Sequence, residues 1–159
     1  MKYKFFIIFI FTVIINLQAK EQREDIWVSL SAETAMYTIK GMATGGSFSV
    51  GYGIGSCIGF KGVWLFSSDV IDTLELNFFF RVYFGGKSSY SGSFLQLAGG
   101  PAFFNKKDEF SFPSSFGMFS IGISYGWRFL FFDRWFVEPS VRAGYPYIVG
   151  ACVSTGVRF

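Results

Sequence analysis

The chain has 159 residues, the length of one domain, with a net charge of +3, only 16% charged residues and 22% aromatic residues. Soluble domains carry ~25% charged residues, so this composition favours a protein whose surface faces lipid. The chain has no histidine, only two cysteines and no basic block, which argues against an enzyme, a cofactor or metal site, and a nucleic-acid partner.

Residues 1–19 have the three-part layout of a secretory signal peptide. Lys2 and Lys4 form a positive start, residues 5–15 are apolar, and a polar stretch ends in the small residue Ala19. We expect cleavage after Ala19, which leaves residues 20–159 as one exported domain. An uncleaved membrane anchor is the alternative, but the apolar run is short for a span of ~20 residues.

Beyond the leader, apolar and polar residues alternate with a period of two. Successive side chains of a strand point to opposite faces, so this alternation predicts two-faced strands. After Thr73, for example, Glu75 and Arg81 share one face while the residues between them are mostly apolar. The predicted strands are 27–34, 46–53, 56–66, 72–84, 93–104, 116–130, 134–144 and 148–159.

A soluble periplasmic β-barrel would show the same alternation, but three features favour a membrane protein. Most predicted strands reach the ~9–11 residues that a tilted membrane strand needs, whereas strands of globular proteins average ~5–6. Small and charged residues share one face, as in a narrow interior. Aromatic residues near strand ends predict the two girdles of a membrane barrel, formed by Trp27, Trp64, Tyr83, Trp127, Trp135 and Tyr145.

An even number of strands is the rule for bacterial membrane barrels. Because backbone groups cannot stay unpaired in lipid, the last strand must pair with the first. The sequence therefore predicts an all-β fold, an eight-stranded antiparallel up-and-down transmembrane β-barrel with both termini in the periplasm. Turns are predicted near residues 53–55, 85–92 and 133–134, and outward loops at 35–45, 67–71, 105–115 and 145–147.

The interior of an eight-stranded barrel is just wide enough for side chains to fill it. The predicted inward faces carry three acids and five bases, and opposite charges in a narrow lumen should pair. We interpret the paired charges as a network that fills the lumen and specifies strand register. The alternative is a polar path for protons or small solutes. Cys57 and Cys152 are predicted to lie inside at different heights, as free thiols. The network residues are Glu33, Lys61, Glu75, Arg81, Arg128, Glu138, Arg142 and Arg158.

The last strand ends in Phe159, preceded by Val153, Thr155 and Val157 at alternate positions. This pattern resembles the C-terminal signature of outer-membrane barrels, which implies recognition by the barrel-assembly machinery. The mature chain resembles small OmpA/OmpX-type eight-stranded barrels. Residues 73–75, 81–83, 126–129, 137–139 and 141–146 also resemble a family of small spirochaetal barrels. The resemblance implies a bacterial outer-membrane location among outer-membrane lipid, and it carries no residue-level function.

These observations predict a monomeric integral outer-membrane protein with a structural or envelope role and a side-chain-filled lumen. The alternatives are a narrow porin-like channel and a barrel that binds small apolar ligands. A surface protein that binds partners through its loops is disfavoured because the loops are short. A membrane lipid hydrolase is disfavoured because the G-x-S-x-G match around Ser124 has neither the helix nor the histidine that such a site needs.

Overall fold

The computed structural model describes residues 26–37, 41–53, 56–67, 71–84, 91–106, 115–132 and 134–159. The predicted signal peptide lies outside these ranges, so its cleavage stays a prediction. Within the described ranges, no helix is long and apolar enough to cross a bilayer.

Eight strands form one closed sheet, as the sequence predicts. Each strand pairs antiparallel with its neighbours in the chain, and the last pairs with the first, so the topology is an up-and-down barrel. The strands are β1 (Ile26–Tyr37), β2 (Met42–Tyr52), β3 (Ser56–Phe66), β4 (Ile71–Phe84), β5 (Gly92–Lys106), β6 (Ser115–Phe131), β7 (Trp135–Tyr145) and β8 (Tyr147–Arg158).

The faces of the strands follow the predicted alternation, with the polar face inside. On β4, Glu75 and Asn77 are buried, whereas Phe78 and Phe80 on the opposite face are exposed. β6 repeats the pattern, with buried Arg128 following exposed Trp127. These strands therefore bury charged and polar side chains and expose large apolar ones, the reverse of the pattern in a water-soluble domain.

The β1–β2 hairpin corrects one prediction. Residues 35–45 were predicted to form a loop, but the two strands stay paired as far as Met36 and Met42. The reason is packing, because Ala35 and Ala43 are register partners that point inward and belong to a buried apolar cluster. The strands must extend this far to place both alanines in that cluster.

The seam between β1 and β8 closes the barrel. Its register runs from Trp27 opposite Arg158 to Ala35 opposite Gly150, and it shifts only between Met36 and Tyr37. The Phe159 amide also donates a hydrogen bond to the Ile26 carbonyl, at 2.8 Å. We call the end of the barrel where β1 begins and β8 stops the terminal end, and the opposite end the far end.

Candidate functional site

The barrel interior is divided into three layers along its axis. At the far end lies an apolar layer. In the middle lies a charged layer, formed by Glu33, Lys61, Glu75 and Arg142. At the terminal end lies an arginine–aromatic layer, built on Arg81, Arg128 and Glu138 among aromatic rings. The apolar layer consists of Ala35, Ala43, Val63, Leu65 and Tyr147, with the partly buried Tyr37 packed against it.

In the charged layer, two acids face two bases. Lys61 Nζ on β3 lies 2.5 Å from Glu33 Oε1 on β1. Arg142, which enters from β7, lies between both acids, with Nη1 3.1 Å from Glu75 Oε2 and Nε 3.6 Å from Glu33 Oε2. The formal charges of this layer therefore balance, and the contacts connect four strands across the barrel.

Neutral polar groups extend the charged layer. The Asn77 side-chain amide donates to Glu75 Oε2 at 3.1 Å, and the Ser120 hydroxyl lies 2.7 Å from Asn77 Oδ1. On the other side, Cys152 Sγ lies 3.7 Å from Glu33 Oε1. These contacts give the buried carboxylates further partners, as buried polar groups require.

In the arginine–aromatic layer, two arginines share one acid. Arg81 Nη1 lies 2.7 Å from Glu138 Oε1, and Arg128 Nε contacts the same oxygen. Arg81 also donates to Gln96 Oε1 and to the Tyr83 hydroxyl, each at 2.9 Å. Arg128 and Glu138 are each only 1% exposed. The triad carries one excess positive charge in a buried place.

Aromatic rings cover the faces of both guanidinium groups. The Arg81 Cζ atom lies 4.1 Å from the centre of the Phe94 ring, and the Arg128 Cζ atom lies 3.9 Å from the centre of the Phe136 ring. The Trp27 ring lies against both cations, at 4.8 and 4.7 Å. Cation–π attraction of this kind strengthens when the groups are withdrawn from water.

Two aromatic residues predicted for the outer girdles lie inside instead. Trp27 is 2% exposed, and the Tyr83 hydroxyl accepts a hydrogen bond from Arg81. Residues an even number of positions apart on a strand share one face. Trp27 is six positions from inward Glu33, and Tyr83 is two positions from inward Arg81, so the alternation itself places both rings inside. The other four predicted girdle residues, Trp64, Trp127, Trp135 and Tyr145, are exposed on the outer wall.

Ion pairs within the barrel join the predicted network residues Glu33, Lys61, Glu75, Arg81, Arg128, Glu138 and Arg142. Each of these ion pairs joins residues of different strands. Glu138 contacts Arg81 and Arg128, whereas Arg142, which lies on the same strand as Glu138, contacts Glu75. The eighth residue, Arg158, lies half-buried at the end of β8, opposite Trp27 in the register.

The predicted C-terminal signature follows the outward face of β8. Val153 and Thr155 are exposed, whereas Val157 and Phe159 are half-buried near the terminal end. Val157 lies between Val28 of β1 and Trp135 of β7 in the register. Val153 and Thr155 therefore lie on the outer wall beside the closing seam. Recognition of this segment by the assembly machinery stays a prediction.

The two cysteines are free thiols, as predicted. Cys57 packs in a buried cluster with Trp27, Phe79 and Phe136 near the terminal end, whereas Cys152 lies in the charged layer beside Glu33. In the part of the chain that the structure describes, no three His, Cys, Asp or Glu side chains are grouped so that they could hold a metal ion.

Two apolar grooves lie on the outer wall rather than in the lumen. One groove, of about 490 Å³, lies where outward positions on β2 and β3 are Gly46 and Gly62, with Leu30, Phe48 and Trp64 around it. The other, of about 520 Å³, lies nearer the terminal end and is bordered by outward side chains such as Tyr52 and Phe78. These grooves suit contact with an acyl chain or another apolar molecule.

Comparison with known proteins gives matches at the level of structure only. No family model and no curated protein sequence matches the chain. Neisserial surface protein A is similar over 85% of this chain and 95% of its own, with a TM-score of 0.66 and 12% identity. The N-terminal β-barrel domain of Pseudomonas aeruginosa OprF is similar over 84% of this chain and 97% of its own, with a TM-score of 0.57 and 17% identity.

A third similar structure is Ail, the attachment invasion locus protein of Yersinia pestis, in complex with the heparin analogue sucrose octasulfate. It covers 86% of this chain and 97% of its own, with a TM-score of 0.57 and 10% identity. All three are barrels of similar size to this chain, and the sequence identities are too low to carry more than the fold. The chain therefore has the fold of the small eight-stranded outer-membrane β-barrels.

Proposed function

We propose that the chain is an integral bacterial outer-membrane protein with a structural role in the envelope, and that its lumen is closed to solutes. The observation that carries the proposal is the layering of the interior. Buried side chains occupy the far end, the middle and the terminal end in turn. A solute on the axis would have to displace both an apolar layer and an ion-paired one.

The outer wall supports the membrane location. Large apolar side chains are exposed on every strand, among them Leu30, Phe78, Phe119 and Val153. A soluble protein rarely exposes so continuous an apolar surface, whereas lipid contact accounts for it. The fold shared with outer-membrane barrels supports the same location.

Refolding tests the membrane part of this proposal. We expect residues 20–159 to acquire a β-sheet circular dichroism spectrum only with detergent or lipid, and unboiled samples to migrate differently from boiled ones on a gel. A stable β fold in plain buffer would contradict it. The same wall would then be exposed to water, at a cost of ~25 cal/mol per Å² of apolar surface.

Planar-bilayer recording tests the closed lumen. We expect the folded protein to insert without conductance steps, while a known pore-forming protein added to the same bilayer shows that the preparation can report openings. Steady openings from the protein alone would contradict the closed lumen and favour the narrow channel.

A second candidate function is the binding of a small apolar ligand, and the groove around Gly46 and Gly62 favours it. A Cβ at Gly62 would meet no atom closer than 3.9 Å, so Gly62→Leu can fill the groove without a backbone clash. We expect this variant to fold normally but to lose any apolar molecule that co-purifies with the wild type, as measured by native mass spectrometry. Equal retention by both proteins would exclude the groove as the binding site.

A further inference from the structure

Residues 131–135, which we call the aromatic turn, present exposed rings at the terminal end of the barrel. Phe131 ends β6 and Trp135 begins β7, and the two are exposed register partners. Phe132 lies between them in the chain and is 92% exposed. The other sequences that join strands at this end, residues 53–55 and 85–91, consist mostly of Gly and Ser. The aromatic character of this turn is therefore a local feature and needs a local explanation.

The backbone of Phe132 is strained. Its φ is 52°, and among the residues that the structure describes it is the only non-glycine residue with a positive φ. Gly, Asn and Asp adopt this left-handed conformation readily, whereas a bulky side chain adopts it at a cost in free energy. A ring so exposed offsets little of that cost through contacts inside the protein. Backbone strain of this kind is concentrated at functional positions.

Backbone hydrogen bonds hold the aromatic turn in place. The Arg134 amide donates to the Phe132 carbonyl at 2.7 Å, and the Arg134 carbonyl accepts from the Arg158 amide at 2.8 Å. Arg158 is the last residue of β8, so the turn is fixed to β8 as well as to the two strands that it joins. The exposed ring is therefore a fixed part of the barrel rim.

The outer wall beside the aromatic turn identifies lipid as its partner. A row of exposed apolar side chains runs along β6 to the turn, formed by Phe119, Ile121, Ile123, Tyr125, Trp127, Phe129 and Phe131. Phe132 extends this row beyond the end of the strand. A partner of the turn that is continuous with the partner of the wall is the bilayer itself.

The charges of the aromatic turn set the depth of the contact. Asp133 and Arg134 follow Phe132 in the sequence, and charged groups are costly in the hydrocarbon core. Arg134 is exposed, and a guanidinium group is well suited to bind phosphate. Aromatic rings are enriched at the level of the lipid headgroups. The turn therefore fits the interface between headgroups and acyl chains.

We propose that the aromatic turn is a membrane anchor. The Phe132 ring inserts at the interface of the leaflet at the terminal end, and Arg134 contacts the phosphates of the lipid headgroups there. The anchor fixes the level at which the barrel lies in the bilayer. This inference rests on the membrane location proposed above.

The depth of a spin label at position 132 tests the anchor. Phe132→Cys, Val141→Cys and Lys87→Cys are each refolded into phospholipid nanodiscs, in which both faces of the bilayer are open to water, and labelled with a nitroxide. Collisions with oxygen, which concentrates in lipid, and with a nickel chelate, which stays in water, report the depth. Val141 is exposed midway along β7 and is the hydrocarbon standard. Lys87, from the Gly- and Ser-rich sequence at the same end, is the matched control.

We expect the label at position 132 to be less accessible to the nickel chelate than the label at 87, and less accessible to oxygen than the label at 141. The wild type, whose thiols Cys57 and Cys152 are buried, should take up no label. Equal nickel accessibility at 132 and 87 would overturn the proposal and place the turn in water. Equal depth at 132 and 141 would overturn the interfacial position. If the label at 141 also behaved like that at 87, the membrane location itself would be wrong, so the two failures are distinguishable.

A second measurement serves if Phe132→Cys does not refold. In a background in which the three exposed tryptophans, Trp64, Trp127 and Trp135, are replaced by Phe, Phe132→Trp keeps an aromatic ring and adds a reporter. The background alone is the control, since its remaining Trp27 lies inside the barrel. We expect lipids brominated near the headgroup to quench the emission of the added tryptophan. The absence of quenching would overturn the anchor.

Discussion

The charged layer and the arginine–aromatic layer stabilise buried cations in different ways. In the first, Lys61 and Arg142 face two carboxylates, and the Asn77 side chain adds a hydrogen bond to Glu75. In the second, two arginines share one carboxylate and rest on the faces of Trp27, Phe94 and Phe136. A barrel of this width has room for both arrangements at different heights.

The difference has a consequence for how each layer tolerates change. Carboxylates can take up protons when they lose their cations, whereas guanidinium groups stay charged. The charged layer can therefore adapt to the loss of a base. The arginine–aromatic layer cannot adapt to the loss of its acid, and Glu138 should be the most sensitive position of the interior.

The largest effect is expected for Glu138→Gln. It leaves Arg81 and Arg128 buried without a carboxylate, and removal of one partner from a buried ion pair costs about 3–5 kcal/mol. The free energy of unfolding, measured by urea titration of the refolded protein in detergent, should fall by that amount. Glu75→Gln is the matched control and should cost about half as much or less, since Arg142 keeps Glu33. Equal losses would contradict the difference between the layers.

A smaller effect is expected for Arg142→Gln. The substitution takes the cation from Glu75, while Glu33 keeps Lys61, so we expect a loss of about 2–3 kcal/mol in the same urea titration at neutral pH. A loss as large as that caused by Glu138→Gln would contradict the difference between the layers.

Trp27→Leu should remove about 2 kcal/mol of unfolding free energy. The substitution deletes the stacked contact with Phe79 and the ring face that both arginines share. Trp127→Leu on the outer wall makes the same chemical change and should alter stability by less than ~0.5 kcal/mol. If the two variants lost the same stability, the ring of Trp27 would contribute only apolar area and no attraction to the cations.

The smallest effect is expected for Lys61→Met, about 1 kcal/mol or less. Lys61 is the most exposed member of the charged layer, at 13% of its side chain, and Glu33 keeps Arg142 when Lys61 is gone. Lys61→Glu would instead face Glu33 with a second carboxylate and should be clearly more destabilising in the same urea titration. If the methionine variant were as unstable as the glutamate variant, Arg142 could not replace Lys61 as the partner of Glu33.

The faces of the strands could be predicted from the sequence because they depend on a local rule. Each strand alternates with a period of two, and a single inward charge fixes which residues of that strand point inside. By this rule inward Glu33 also places Trp27 inside, where the structure has it. The prediction that Trp27 lies in an outer girdle was wrong because it did not follow the alternation along the whole of β1. A large aromatic ring near a strand end is typical of a membrane interface, but Trp27 is an even number of positions from Glu33 and so shares its inward face.

The partners within the interior could not be predicted in the same way. Arg81 and Glu138 are separated by 57 positions in the chain, and they meet because β4 and β7 face each other across the lumen. Their contact depends on the register of every seam between them and on the length of each side chain. No local sequence pattern contains the combined effect of these registers and side-chain lengths. The sequence therefore predicted which residues are inside, but neither their pairs nor their division into layers.

The seam between β1 and β8 sets the order of events in folding. The hydroxyl groups of Ser31 and Ser154, which hydrogen-bond across this seam, are 123 positions apart in the chain. A sheet that lacks its last strand leaves two open edges, and such edges pair with other chains or lie unsatisfied in lipid. Without β8 the other seven strands therefore cannot close the sheet. Their open edges are exposed to aggregation until β8 pairs with β1.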